Sequence, residues 1–337
     1  MSPMNPLVSI IIPVKEISDY LRNENLPAFL AQTYTNFEVL VLPNKPTEED
    51  ERLLKQYPWL KIIPTYKVTR PAEKRDIGAK NAKGSILAFI DDDAYPASNW
   101  LEKAMRYFNS QKTEVICGPG IIPPKSNVWE KTFDEILKSP TGSGGYQYRF
   151  AKGSPRFVDD YPSMNFLIQK NIFEKLGGFN SEYWPGEDSK LCEDLIYKFK
   201  GRIYYNPDIV VYHHRRNTLK GYLKQHANYG FHRGAFFAHG DKNSRRLSYL
   251  IPSFFVLYLA ILLPALSLST NYVLLTTPLA LYLLLCLFLI AQSFIKTKNI
   301  LLSFLTVPVL FLTHVVYGTM FIKGFIKGAT HKKQIYG

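Results

Sequence analysis

Asp91-Asp92-Asp93 closes the apolar run Ser85-Ile86-Leu87-Ala88-Phe89-Ile90. Three adjacent carboxylates repel one another, so a fold tolerates them only with compensation. A hard divalent cation supplies it, because Mg²⁺ and Mn²⁺ prefer carboxylate oxygens and bridge to diphosphates. An acidic turn is the plainer reading, since Asp is common in turns. It leaves unexplained why the acids end a buried strand. A second pair, Glu187-Asp188, precedes the apolar stretch Leu191–Phe199. There the acids either cap a helix or take a proton from a substrate hydroxyl. His213-His214-Arg215-Arg216 follows the run Ile209-Val210-Val211-Tyr212. Imidazole can ligate metal and guanidinium forks onto phosphate, though the same cluster also suits a basic face beside a membrane.

These residues need elements to hold them. Val8–Pro13, Phe37–Leu42, Leu60–Ile63, Ser85–Ile90 and Val115–Gly118 read as strands, most of them buried. Between them, residues 18–32 (interrupted by Pro27), Glu48–Tyr57, Ala72–Ala82 and Trp100–Asn109 read as helices. The alternation implies an α/β fold, a largely parallel sheet with helices on both faces. Ligands of such sheets bind at the carboxyl ends of the strands, where Pro43-Asn44 and the three aspartates fall. Residues 138–156, rich in Gly, Ser and Pro, read as a mobile loop, either a lid over a ligand or a surface connection.

The charge is +13 over 337 residues, which calls for an anionic partner. It is unevenly spread: residues 200–248 hold ten Lys/Arg against Asp208 and Asp241. That block directly precedes the apolar runs Leu250–Ser267 and Tyr272–Phe294, each long enough to cross about 30 Å of hydrocarbon. Lipid headgroups therefore explain the charge without nucleic acid. Lys296 and Lys298 follow the second run, so the positive-inside rule puts the N-terminal domain on the cytosolic side. The third run, Ile300–Ile322, contains Pro308, His314 and Gly318; it spans, re-enters or lies partly in the interface, and a full span, which would export four lysines, is slightly disfavoured. The domains expected are a catalytic domain over 1–215, basic juxtamembrane helices over 216–249 and a membrane anchor over 250–337. Cys117, Cys192 and Cys286 lie far apart and give no disulfide or metal framework. The first residues lack the basic region of a signal peptide.

Val8-Ser9-Ile10-Ile11-Ile12-Pro13-Val14-Lys15-Glu16 resembles the opening strand of glycosyltransferase family 2. Lys74-Arg75-Asp76-Ile77-Gly78-Ala79 through Asp91-Asp92-Asp93 resembles that family's basic helix and aspartate motif. Gly177-Gly178-Phe179-Asn180, followed by Trp184-Pro185-Gly186-Glu187-Asp188, resembles its acceptor-side motif. The ordered set covers roughly residues 7–215.

The resemblance implies a GT-A fold, a Rossmann-like mixed sheet, here followed by transmembrane helices. It implies inversion of the anomeric centre by single displacement from a nucleotide-sugar. Pro13, Val14 and Glu16 would line the nucleobase and ribose pocket, with Asn44 where the family usually has an acid. Arg75 would meet donor phosphates with Lys74 beside it, and Asp76 stands where Asn is common. Asp93 would carry Mg²⁺ or Mn²⁺, with Asp91 on the metal or ribose and Asp92 on the donor side. Asp188 would be the general base, Glu187 and Trp184 would meet the acceptor, and His213, His214 and Arg215 the diphosphate. The position beside the membrane points to a lipid-linked saccharide as acceptor. A polyprenyl-phosphate sugar synthase and an inactive membrane scaffold are the alternatives. A nucleotidyltransferase would need a glycine-rich loop after the first strand, which Pro13-Val14-Lys15-Glu16 is not. The QxxRW sequence of processive polysaccharide synthases is also missing, because Asn228-Tyr229 stands in its place.

Overall fold

The computed structural model describes residues 5–179, 185–268 and 271–330. They form two compact units. The first holds the chain up to Ile121 together with Ala151–His213; the second holds Ile122–Phe150 and the chain from His214 onward.

The described strands are β1 Val8–Pro13, β2 Phe37–Leu42, β3 Leu60–Ile62, β4 Ile86–Ile90, β5 Ala94–Pro96, β6 Val115–Cys117, β7 Gly120–Ile121, β8 Arg156–Val158, β9 Asn165–Gln169, β10 Ile203–Tyr205 and β11 Val211–His213. Eight of them make one sheet in the order β3-β2-β1-β4-β9-β6-β10-β8. The first four run parallel. The β-branched and leucine-rich sequences of β1, β2 and β4 are buried on both faces, as strands covered by helices on either side must be, while β3 at the edge is only partly buried. β9 then enters antiparallel to β4 and to β6, so the sheet is mixed. A smaller sheet, β5-β11-β7, pairs Ala94–Pro96 with Val211–His213.

Pro27 does not interrupt the first helix. A wide helical turn over Leu21–Asn25 runs straight on into the regular helix Leu26–Leu30, with helical backbone at Asn25 and Leu26, so the departure from regular α geometry lies just ahead of the proline and the helix continues through it.

The second unit is helical. The helix Val128–Leu137 buries Phe133 and Ile136 against Tyr222, Leu289, Val309 and Leu310, which lie on the helices Leu219–His239, Tyr272–Thr297 and Ile300–Thr330. This apolar contact draws residues 122–150 to the C-terminal helices, whereas a division at 215 read along the chain leaves them with the sheet. The segment 138–156 is correspondingly not one loop. A short helix, Pro140–Ser143, and a tight turn, Gln147–Arg149, belong to the helical unit, and β8 belongs to the sheet.

Leu247–Leu268, Tyr272–Thr297 and Ile300–Thr330, of 22, 26 and 31 residues, are each long and apolar enough to cross a membrane. The third segment is one unbroken helix through Pro308.

Candidate active site

The aspartates sit at the carboxyl end of β4. β5 begins directly after Asp93 and pairs antiparallel with β11 so that His213 lies opposite Ala94. This register sets the imidazole beside the acids: His213 Nε2 is 3.2 Å from Asp93 Oδ1. One ligand atom each from Asp91, Asp93 and His213 lies within 4.8 Å of the others. Two carboxylate oxygens and an imidazole nitrogen at that spacing fit a divalent cation such as Mg²⁺ or Mn²⁺. Asp92 points elsewhere and takes a hydrogen bond from the Ser18 side chain. Burial, with the Asp93 charge second, raises its carboxyl to about 6.

The helix Pro71–Asn81 aims two adjacent cations at two different places. Lys74 is fully buried and donates to the Val14 and Leu42 carbonyls and to Asn44 Oδ1. Burial lowers its ammonium to about 8. Lys74 therefore fastens the ends of β1 and β2 together rather than presenting a free charge to a phosphate. The same bond orients Asn44, whose N–H is held by the Lys15 carbonyl. Pro13 and Val14 are buried in this corner and Glu16 is exposed at its rim.

Arg75 turns the other way. Its Nη2 donates to Asp91 Oδ1 at 2.9 Å and its Nη1 to Glu187 Oε1 at 3.0 Å. The guanidinium carbon stands 5.5 Å from the centre of the Phe179 ring. Phe179 is placed by Asp76, which accepts its backbone N–H at 2.9 Å. An Asn could make the same bond through its side-chain oxygen, so the acid here keeps the geometry. Burial raises the Asp76 carboxyl to about 6.

Glu187 and Asp188 open the helix Glu187–Glu193. The preceding Gly186 has φ +137°, a conformation that side-chain-bearing residues avoid, and it lets the chain turn sharply into the pair. Asp188 is half-buried and accepts the N–H groups of Ser189 at 2.8 Å and Ser163 at 3.3 Å. Burial first, then the charges of Glu187 and Asp160, lifts its carboxyl to about 7. A carboxyl poised there can accept a proton near neutrality. Trp184 lies outside the described residues.

The basic cluster divides. β11 ends at His213 and the chain then leaves the sheet unit. His214 is buried with Nδ1 2.8 Å from Glu130 Oε1. Arg215 is buried on Asp134 Oδ1, through Nε at 3.1 Å and Nη2 at 2.8 Å. Both were expected on a diphosphate; buried carboxylates hold them in the helical unit instead, and His213 alone of the three joins the aspartates.

Two contributors escaped the sequence reading. Asp160 accepts Ser189 Oγ at 2.8 Å and supplies the second like charge near Asp188. Asn165, fully buried, accepts Trp100 Nε1 at 2.9 Å and donates to the Gly118 and Ile209 carbonyls, tying together the strand ends beneath the acids. Asp159-Asp160 just before an apolar strand repeats the pattern of Asp91-Asp93 after one, and was the signal available.

Residues 9–177 match the family described as "Glycosyl transferase family 2". The chain is 26% identical over 333 residues to the dolichyl N-acetyl-alpha-D-glucosaminyl phosphate 3-beta-D-2,3-diacetamido-2,3-dideoxy-beta-D-glucuronosyltransferase of Methanococcus voltae, covering 95% of this chain and 98% of that protein. It is 24% identical over 195 residues to glycosyltransferase AglE of Haloferax volcanii, covering 56% of this chain and 60% of that one. Its fold is similar to that of the mannosyltransferase PcManGT from Pyrobaculum calidifontis, solved with GDP-Man and Mn²⁺, with a TM-score of 0.65 at 18% identity over 98% of this chain and 88% of that chain. The chain belongs to glycosyl transferase family 2. It is a glycosyltransferase of GT-A fold, as the ordered motifs implied, and it carries three helices long enough to cross a membrane.

Proposed function

We propose that this enzyme moves a sugar, with inversion, from a nucleoside-diphosphate donor to a lipid-linked saccharide at the cytosolic face of a membrane. The observation that carries the proposal is the Arg75 bridge, which joins Asp91 of the Asp91-Asp93-His213 triad to Glu187, the neighbour of Asp188. A carboxyl titrating near 7 is thereby held in one site with a divalent-ion triad. Mg²⁺ or Mn²⁺ bound at the triad would neutralise charge on the departing diphosphate.

The residues of the chain do the rest. Pro13, Val14, Glu16 and Asn44 receive the nucleoside at the ends of β1 and β2, a corner kept in shape by Lys74. Arg75 offers its guanidinium toward the diphosphate while fixing both acidic motifs. Asp188 accepts the proton of the acceptor hydroxyl. That oxygen attacks the anomeric carbon as the bond to the diphosphate oxygen breaks, leaving a nucleoside diphosphate. Glu187 and Trp184 border the acceptor.

A membrane acceptor is supported by the chain path, which runs from His213 directly into the basic helix at Leu219 and on into the apolar helices. It is also supported by the name of the M. voltae relative, whose acceptor is dolichyl-linked. The GDP-Man and Mn²⁺ found with PcManGT support the donor class and the metal. The test is a thermal-shift screen of nucleoside diphosphates and their sugars with Mn²⁺, followed by transfer of labelled sugar into membrane lipid extract. Failure of every nucleotide to stabilise the protein would refute the proposal.

A further inference from the structure

Tyr66 stands just past the end of β3 with φ +46°, in the left-handed region that residues bearing a side chain seldom adopt. The backbone around it is tightly fixed. The Tyr66 N–H donates to the Asn44 carbonyl at 2.7 Å, and the Thr65 N–H to the Pro43 carbonyl at 2.9 Å. The Val68 N–H closes a turn onto the Thr65 carbonyl at 2.9 Å. The buried Thr65 hydroxyl lies 3.0 Å from the carbonyl oxygens of both Pro43 and Val68, so it braces the turn from inside.

Gly, Asn and Asp are the residues that usually take a turn position of positive φ. A tyrosine there is strained. Such strain persists only where the surrounding structure enforces it, and it gathers at ligand sites. The fold gains nothing from the ring in exchange. Tyr66 is 67% exposed, and among the described residues its side chain makes no hydrogen bond and no contact with another ring. An exposed tyrosine alone is ordinary; one held in this backbone conformation is not.

Its place gives the ring a use. The Asn44 N–H donates to the Lys15 carbonyl at 3.0 Å, so one ladder runs on past the strand ends from Lys15 through Asn44 to Tyr66. Lys74 holds Asn44 Oδ1 from within. This is the corner proposed above to receive the nucleoside. Asn44 and Glu16 can answer the polar edge of a base or the ribose hydroxyls. The face of a base calls for an aromatic surface, and any base can stack on one. A tyrosine has two side-chain torsions and loses little freedom when it stacks.

We infer that Tyr66 is the stacking platform for the nucleobase of the donor, presented at the edge of the sheet by the turn Thr65–Val68. The inference rests on the transferase reading above and adds to it the residue that grips the base.

The test is calorimetry on the full chain in detergent with Mn²⁺, using UDP, GDP and inorganic pyrophosphate, which has no base. Y66A and Y66G should each bind the tighter of the two nucleotides about tenfold more weakly than the wild type, the loss of one base–aromatic stack. Both should bind pyrophosphate as the wild type does. Y66F keeps the ring and should stay within about twofold for the nucleotide. Y66G also relieves the backbone, so it should melt no lower than the wild type. Wild-type nucleotide affinity in Y66A and Y66G overturns the inference. So does an equal loss of pyrophosphate, a tenfold loss in Y66F, or a Y66G protein that melts well below the wild type. A wild type that binds neither nucleotide refutes the transferase reading, and this inference with it.

Discussion

Arg75 Nη1 lies 3.0 Å from Glu187 Oε1, although 112 residues separate them, and both side chains are buried. The pair joins the helix beneath the aspartate motif to the acceptor-side turn, while Nη2 holds Asp91. Nε has no hydrogen-bond partner among the described residues, so two of the three guanidinium nitrogens carry the bridge. Removing one partner of a buried pair leaves the other charge uncompensated, which costs about 3–5 kcal/mol. Arg75→Ala should therefore lower stability by about that much in urea titration and abolish transfer. Arg75→Lys keeps the charge but cannot fork to both carboxylates. It should fold more stably than Arg75→Ala and still lose most of kcat. Full kcat in the Lys variant would mean that the bridge does not organise the site.

The metal triad proposed above separates two neighbouring histidines. Asp93→Ala and His213→Ala each remove a ligand atom and should weaken Mn²⁺ binding by more than about a hundredfold in calorimetry. His214 faces Glu130 in the other unit. His214→Gln should leave Mn²⁺ affinity within about twofold while lowering thermal stability through the lost buried contact. Equal effects on Mn²⁺ from His213 and His214 would contradict the assignment.

In its proposed role as general base, Asp188 gives the reaction its pH dependence. The base works only when ionised, and its carboxyl is raised from 3.8 to about 7. At fixed metal and donor, kcat/KM should rise with pH through about 7 and then level off. The stability effect has the opposite sign. Between the unfolded and folded values the folded protein binds more protons, so stability conferred by protonated Asp188 is present below about 4 and lost as pH rises through about 7. Asp188→Asn cannot ionise. It should abolish transfer while raising the melting temperature at pH 8 by roughly a few degrees. An Asn variant that melts below the wild type at pH 8 would mean that the carboxylate is not destabilised there.

Much of this site was legible because its parts are local. The aspartates end a continuous apolar strand, and the glycine turn precedes Glu187-Asp188 in an ordered set of motifs. What the sequence hid was the pairing between distant segments. β9 is a run of only five residues with polar ends, and only its place between β4 and β6 makes it a strand. The roles of Lys74, His214 and Arg215 likewise depend on partners 30 to 84 residues away. A basic residue beside a motif reads as a phosphate ligand until its buried acceptor is known. The helix Val128–Leu137 takes its meaning from the apolar helices that follow it, and no local pattern announces them as its partners.

The helices Leu219–His239 and Ile300–Thr330 approach each other through glycines from both sides. A Cβ on Gly234 would meet the Phe321 carbonyl oxygen at 2.1 Å, and one on Gly324 would meet the Phe231 oxygen at 1.9 Å. Both obstacles are backbone, so the helices themselves would have to separate. Such reciprocal small residues permit close packing where apolar burial gives little drive between helices. Gly234→Ala and Gly324→Ala should each destabilise the detergent-solubilised protein by about 1–3 kcal/mol. That exceeds the roughly 1 kcal/mol that Ala gains over Gly in a helix. Gly221→Ala is the comparison: it lies in the first turn of the Leu219–His239 helix, and its nearest obstacles are the Thr218 hydroxyl at 3.1 Å and the Arg216 Cβ at 3.8 Å. It should be neutral or mildly stabilising in the same thermal melts. If Gly234→Ala and Gly324→Ala melt with Gly221→Ala, the two helices are not held at this distance.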